Sequence, residues 1–205
     1  VAAEAESGGE STIFPPEFLV FIRKLVYLNT DRFLLRGRGC CAFPQCNGRA
    51  RMKTDGEIRI FLAATSGGHL TEGLALFGGL SGTKLIVFSE YGPRMETLDC
   101  EHYGYRRIKS PVLTMIPSFF KSLYLIAKTR PDWVVTTGAE CGTAAILAAK
   151  LLFRKTIFVE TASRYRTKTM SAKICYPLVD HFYVQTQEGL AIFGKKAEYI
   201  GGILA

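Results

Sequence analysis

The chain has 205 residues and a formal net charge of +8; 48% of its residues are hydrophobic and 21% charged. That is a globular balance, large enough for one α/β domain with a real core plus an extension, and too small for two such domains. The basic residues are scattered and build no recognised nucleic-acid module, so the charge points to an anionic membrane surface or a phosphorylated substrate and away from nucleic acid.

Six cysteines, Cys40, Cys41, Cys46, Cys100, Cys141 and Cys175, include no C-x-x-C pair. The first three form a loose cluster without a nearby histidine, a poor match to zinc-ligand spacing. Free thiols in a reducing compartment are expected, and no segment reads as a secretory leader.

Residues 1–12 are small and acidic and are expected to be disordered. Residues 13–28 (IFPPEFLVFIRKLVYL) place Phe14, Phe18, Phe21, Ile22 and Leu25 near helical spacing. The run is too short to span a bilayer well, and Glu17, Arg23 and Lys24 break it. A basic amphipathic segment lying in the membrane interface fits it; so does a helix packed on the domain. Residues 31–54 are rich in glycine, arginine and cysteine without a period, as a linker is. The expected division is an extension over 1–56 and a folded domain over 57–205.

The domain is organised around residues 58–71, IRIFLAATSGGHLT. Ile58, Ile60, Phe61, Leu62, Ala63 and Ala64 form a short apolar run, as a strand covered on both faces requires. Thr65, Ser66, Gly67 and Gly68 break it, and His69 opens a helix carrying Leu70, Leu74 and Phe77. Adjacent glycines permit positive φ and close approach of a ligand to the backbone. Unpaired N–H groups at such a helix start favour a phosphate or diphosphate. The spacing is neither the G-x-G-x-x-G dinucleotide pattern nor a Walker loop. A tight turn without a ligand accounts for the glycines alone; a histidine directly after them, at the carboxyl end of a strand, favours a site.

Strand and helix then alternate. Strands are predicted over 84–88, 105–108, 133–136, 155–160, 181–185 and 198–200. Helices are predicted over 116–129, 141–153, 169–176 and 188–193, and residues 89–93 form a loop. The 116–129 helix has a wide apolar face with Phe119, Phe120, Leu123 and Ile126, edged by Lys121, Lys128 and Arg130; core packing and a membrane-facing role both fit. The alternation implies a parallel sheet with right-handed crossovers, an α/β, Rossmann-like fold with helices on both faces.

Three strand ends carry polar or glycine-rich loops: Ser66-Gly67-Gly68-His69, Thr137-Gly138-Ala139-Glu140 and Glu160-Thr161-Ala162-Ser163-Arg164. In a parallel sheet all three share one edge. Together they offer backbone N–H groups, an imidazole, two carboxylates and a guanidinium, which suits an anionic substrate and a proton taken from a hydroxyl. Singly, each has a structural alternative: Glu140 as a helix-start carboxylate, Glu160 and Arg164 as a mutual pair. No Ser-His-Asp order or metal-ligand spacing stands out, which argues against a hydrolase or metalloenzyme.

The SGGHLTEGLAL stretch resembles the glycine–histidine loop of MurG-like glycosyltransferase acceptor domains. The segments TTGAECGTAAILAAKLLFRKTIFVETASR, KICYPLVDHFYVQTQEGL and AEYIGGIL resemble bacterial polysaccharide-biosynthesis proteins of the PssD type and their eukaryotic relative, asparagine-linked glycosylation protein fourteen. The likeness covers roughly residues 57–204. It departs where the family often has Gln-Trp-x-Glu and this chain has Gln185-Thr186-Gln187-Glu188.

The resemblance implies the acceptor-side, N-terminal half of a GT-B glycosyltransferase split between two chains. A donor-binding, PssE-like catalytic subunit would hold the UDP-sugar, and this subunit, at the cytoplasmic membrane face, would bind a polyprenyl-diphosphate-linked sugar. In that role Ser66, Gly67, Gly68 and Gly138, with Glu140 and Arg164, would hold the acceptor and its phosphates. His69, or else Glu160, would take the proton of the attacking hydroxyl in an inverting transfer. No cofactor or metal is expected. A non-catalytic scaffold that recruits the catalytic subunit is the rival expectation. A stand-alone nucleotide-binding oxidoreductase is a weaker third, since no spaced glycine fingerprint or acidic ribose-binding residue follows the second strand.

Overall fold

The computed structural model describes residues 57–161 and 167–201. The expected amphipathic segment at 13–28, the linker and the Cys40, Cys41 and Cys46 cluster lie outside the described residues.

Seven strands form one parallel sheet: β1 (Ile58–Ala63), β2 (Thr83–Glu90), β3 (Glu101–Tyr105), β4 (Trp133–Thr136), β5 (Lys155–Val159), β6 (His181–Val184) and β7 (Ala197–Tyr199). Among the described residues, the helices between them are α1 (Gly68–Phe77), α2 (Pro93–Glu96), α3 (Pro111–Thr129), α4 (Ala139–Leu151), α5 (Met170–Cys175) and α6 (Gln187–Phe193). The sheet order is β3-β2-β1-β4-β5-β6-β7. The chain winds outward from β1 to β3, then returns through α3 to lay β4 on the other side of β1. The point of reversal lies between β1 and β4, where open α/β sheets form their ligand crevice.

Side chains of β1 alternate between two cores, as a pleated strand covered on both faces must. Phe61 and Ala63 join the core beneath α3, α4, α5 and α6. Ile58, Ile60, Leu62 and Ala64 join the one beneath α1 and α2. Two glycines let helices close on the sheet: a Cβ on Gly73 would meet the Leu62 side chain, and one on Gly142 would overlap Thr136 Oγ1.

Element boundaries shift by a residue or two from expectation, except at three places. The strand expected at 105–108 ends at Tyr105 and occupies Glu101–Tyr105, because Glu101 to Tyr105 pair in register with Ile86 to Glu90. Residues 93–96 form a helical turn started by Pro93 at its first position. Helix α3 begins at Pro111, not at 116; Pro111 likewise opens it, and Pro117 is accommodated within the helix.

Candidate functional site

The carboxyl ends of β1, β4 and β5 are neighbours in the sheet, so the loops after them meet. Thr136 ties the first two together from below: its hydroxyl donates to the Ala63 carbonyl at 2.6 Å and accepts from the Gly138 N–H at 3.0 Å. Thr137 Oγ1 donates to the His69 carbonyl at 2.8 Å. The start of α1 is thereby fixed against the start of α4.

The two helix starts share one geometry. Gly67 caps α1 at φ 112°, ψ −143°, and Gly138 caps α4 at φ 119°, ψ −158°. That region is open essentially to glycine alone. Ala139 follows at φ 67°, a left-handed value that costs a residue with a Cβ about 1–2 kcal/mol. Neither helix has a side-chain cap. In α1 the Leu70 N–H donates to the Thr65 carbonyl at 3.2 Å, which leaves the amides before it, and the positive ends of both dipoles, to an anion.

A cleft of about 440 Å³ opens beside these loops, lined by His69, Thr137, Gly138, Ala139, Glu160, Thr161, Lys168, Thr169, Met170 and Ser171. His69 Nδ1 is buried and makes no hydrogen bond. The ring lies beside Gly138, where a Cβ would stand at ordinary contact distance from it. Across the cleft Glu160 is 4% exposed. The Thr169 hydroxyl reaches both of its carboxylate oxygens at 3.3 Å, and the same hydroxyl caps α5 by accepting from the Ala172 N–H. The Glu160 backbone is pinned on both sides: its N–H donates to the Tyr183 carbonyl at 2.8 Å, and its carbonyl accepts from Gln185 Nε2 at 3.0 Å.

His69, Gly138 and Glu160 thus share one cleft, as the shared sheet edge predicts. Gly67 and Gly68 form the start of α1 beside it. Ser66 points toward the β2 side, with its Oγ 3.8 Å from where a Cβ on Gly92 would sit. Glu140 does not line the cleft; it is in the first turn of α4 and forms an ion pair with Arg107 Nε at 3.2 Å, so its helix-start alternative describes it. Arg164 lies outside the described residues.

Several participants escaped sequence reasoning. Lys168 brings a cation to the rim, held over the rings of Phe193 and Tyr176. Glu72, one turn beyond His69, is buried and accepts a 2.8 Å hydrogen bond from Thr161 Oγ1. Arg94 donates to Thr71 Oγ1 at 2.7 Å, and Thr71 donates to the Gly67 carbonyl at 2.9 Å, so a guanidinium stands at the start of α1. The Gly67–Thr71 and His69–Glu72 spacings were readable as one helical turn; Lys168 and Arg94 carried no such signal. At the family departure, Gln185 supports the Glu160 backbone and Thr186 caps α6 through the Gly189 N–H. Among the described residues, no three His, Cys, Asp or Glu side chains are grouped as a metal site requires.

A parallel sheet reversing between β1 and β4, with two glycine-capped helices facing the reversal, is a Rossmann-like α/β fold. Solved structures agree on the fold. MurG of Acinetobacter baumannii matches with a TM-score of 0.57 at 15% identity, over 69% of this chain and 45% of that one. The UDP-bound MnaA of Staphylococcus aureus matches at 0.60 and 15%, over 71% and 45%. The chain therefore spans less than half the length of these structures. Residues 105–203 match the family described as "Oligosaccharide biosynthesis protein Alg14 like". Similar proteins include the human UDP-N-acetylglucosamine transferase subunit ALG14, 28% identical over 189 residues, covering 72% of this chain and 84% of that protein. The rat subunit of the same name is 29% identical, with 63% and 76% covered.

Proposed function

We propose that this chain is the acceptor-side subunit of a two-chain UDP-N-acetylglucosamine transferase that builds a lipid-linked oligosaccharide at a membrane. The observation that carries the reading is the meeting of His69, Gly138 and Glu160 in one cleft beside two uncapped helix starts. Diphosphate is the group such a pair of helix starts favours, and Lys168 and Arg94 add positive charge around it. The names of the similar subunits supply the donor and the need for companions.

In this reading the acceptor is a polyprenyl-diphosphate-linked sugar. Its diphosphate lies against the amides following Gly67 and Gly138, and the lipid leads away to the cytoplasmic membrane face. A donor-binding subunit of PssE-like kind brings UDP-N-acetylglucosamine over the cleft. The acceptor hydroxyl oxygen forms a bond to the anomeric carbon as the bond from that carbon to UDP breaks. His69 takes the hydroxyl proton, and one displacement inverts the anomeric centre. Glu160 fixes the acceptor sugar or replaces His69 as base. General-base help from either group would be worth about 10²–10⁴-fold. Arg164, four residues after Glu160 in the sequence, is assigned to phosphate.

The test is transfer from radiolabelled UDP-N-acetylglucosamine by the assembled pair. His69→Ala and Glu160→Gln are expected to abolish most turnover while the subunits still co-purify. Full activity in both variants would leave only a recruiting scaffold.

A further inference from the structure

Helix α3 is inverted relative to an ordinary surface helix. The side it turns inward, along α4, carries Thr114, Ser118, Ser122 and Thr129, all buried, with Leu125 and Ile126. These small residues allow close approach to the alanine-rich α4, where Ala144, Ala145, Ala148 and Ala149 are fully buried. Five large apolar side chains face outward instead. Val112 is 71% exposed, Ile116 56%, Phe120 62% and Tyr124 64%, each four residues from the next, with Leu113 beside them at 54%. A water-facing helix places its large apolar residues the other way round. A contiguous apolar stripe of this length signals a second non-aqueous surface.

Charge identifies that surface. Residues 106–130 contain six basic residues, Arg106, Arg107, Lys109, Lys121, Lys128 and Arg130, and no acidic one. Arg107 and Lys121 are engaged inward, by Glu140 and by the Gly104 carbonyl. Arg106, Lys109, Lys128 and Arg130 are exposed around the stripe. An apolar stripe with a cationic border and no acidic residue suits the headgroup region of an anionic bilayer. Because α3 follows β3, its first turn stands at the sheet edge that bears the cleft.

We propose that the outward face of α3 lies on an anionic lipid surface, with Val112, Leu113, Ile116 and Phe120 entering the acyl boundary. This places the proposed membrane association on a specific face, and it holds the cleft at the bilayer, where a lipid-borne diphosphate would be presented.

Two measurements on the full chain test it. Phe120→Trp adds a reporter to a protein whose only tryptophan, Trp133, is 1% exposed. Its emission is expected to shift to the blue with phosphatidylserine-containing vesicles and to be quenched by brominated acyl chains. Ile116→Ser with Phe120→Ser is expected to weaken vesicle partitioning by about tenfold or more, with an unchanged circular dichroism spectrum. An unshifted emission would overturn the proposal whatever the partitioning shows. So would a shift caused only by raising the protein concentration or adding the donor-binding subunit, since a protein would then cover the face. Neither measurement uses a sugar donor, so failure here leaves the cleft's role standing, and inactive cleft variants leave this surface standing.

Discussion

The imidazole of His69 rests against Gly138: a Cβ at position 138 would come 3.4 Å from His69 Cε1 and 3.7 Å from Nδ1. Gly138 takes a backbone conformation at φ 119° that starts α4, and a Cβ there would meet the ring only at ordinary van der Waals distance. Gly138→Ala is predicted to cost about 1–3 kcal/mol from backbone strain, and relaxing that strain shifts the loop on which the ring rests. Thermal melting should show the first effect. Transfer by the assembled pair should fall by about 10²-fold, the penalty for misplacing a reacting group by about an ångström.

Glu160 and Thr169 separate chemistry from bracing. The Thr169 hydroxyl both caps α5 and contacts the carboxylate. Thr169→Val should lose the cap and lower stability by about 1 kcal/mol, with turnover reduced modestly. Glu160→Gln keeps the side-chain shape and removes the charge, so turnover should fall by about 10²-fold or more with little change in melting. The opposite pattern, a melting loss with kcat preserved, would make Glu160 only a support for α5.

The thiols of Cys141 and Cys175 are buried, and burial pushes each up to about 12. Thiolate is the reactive form. Alkylation of the folded protein at pH 8, followed by peptide mapping, should leave both unmodified and should reach them only after denaturation. Rapid labelling of Cys141 in the native state would mean that α4 does not pack on the sheet as described.

Asp180 gives the acid limit of stability a specific source. Burial raises its carboxyl, but hydrogen bonds from Lys150 Nζ at 2.7 Å and from Thr156 at 2.8 and 2.9 Å outweigh that and hold it below the usual aspartate value. With the folded value below the unfolded one, the contribution is complete above about pH 4 and is lost as pH falls through the lowered value. Asp180→Asn should therefore melt lower than the parent at pH 7, and the difference should shrink toward pH 3. A difference constant across that range would remove Asp180 from the account.

Much of the sheet was legible because buried parallel strands are short apolar runs. Residues 133–136 were predicted to the residue, and the turn after Ala64 was readable from adjacent glycines. Strand β3 was not: EHYGY has a polar alternation, and only pairing with β2 makes it a strand. For α3, the wide apolar face was visible in sequence but not which side of it would be buried. Phe119 and Leu123 pack against the core while Phe120 and Tyr124 do not, because Ser118 and Ser122 take the inner face along α4. Three strand ends sharing one edge were predicted, and His69 and Glu160 do meet in a cleft. The distant supports, Gln185 beneath Glu160 and Glu72 beside Thr161, depend on contacts 25 and 89 residues apart that no local pattern encodes.

The most direct measurement is a calorimetric titration of this chain alone with a short-chain, water-soluble polyprenyl-diphosphate N-acetylglucosamine, and separately with UDP-N-acetylglucosamine. The account predicts that the diphosphate acceptor binds, that Gly67→Ala or Gly138→Ala weakens it by about tenfold or more through strain at φ values above +100°, and that the nucleotide sugar produces no heat until the donor-binding subunit is added. Tight binding of UDP-N-acetylglucosamine to the lone chain, with no acceptor binding, would contradict it.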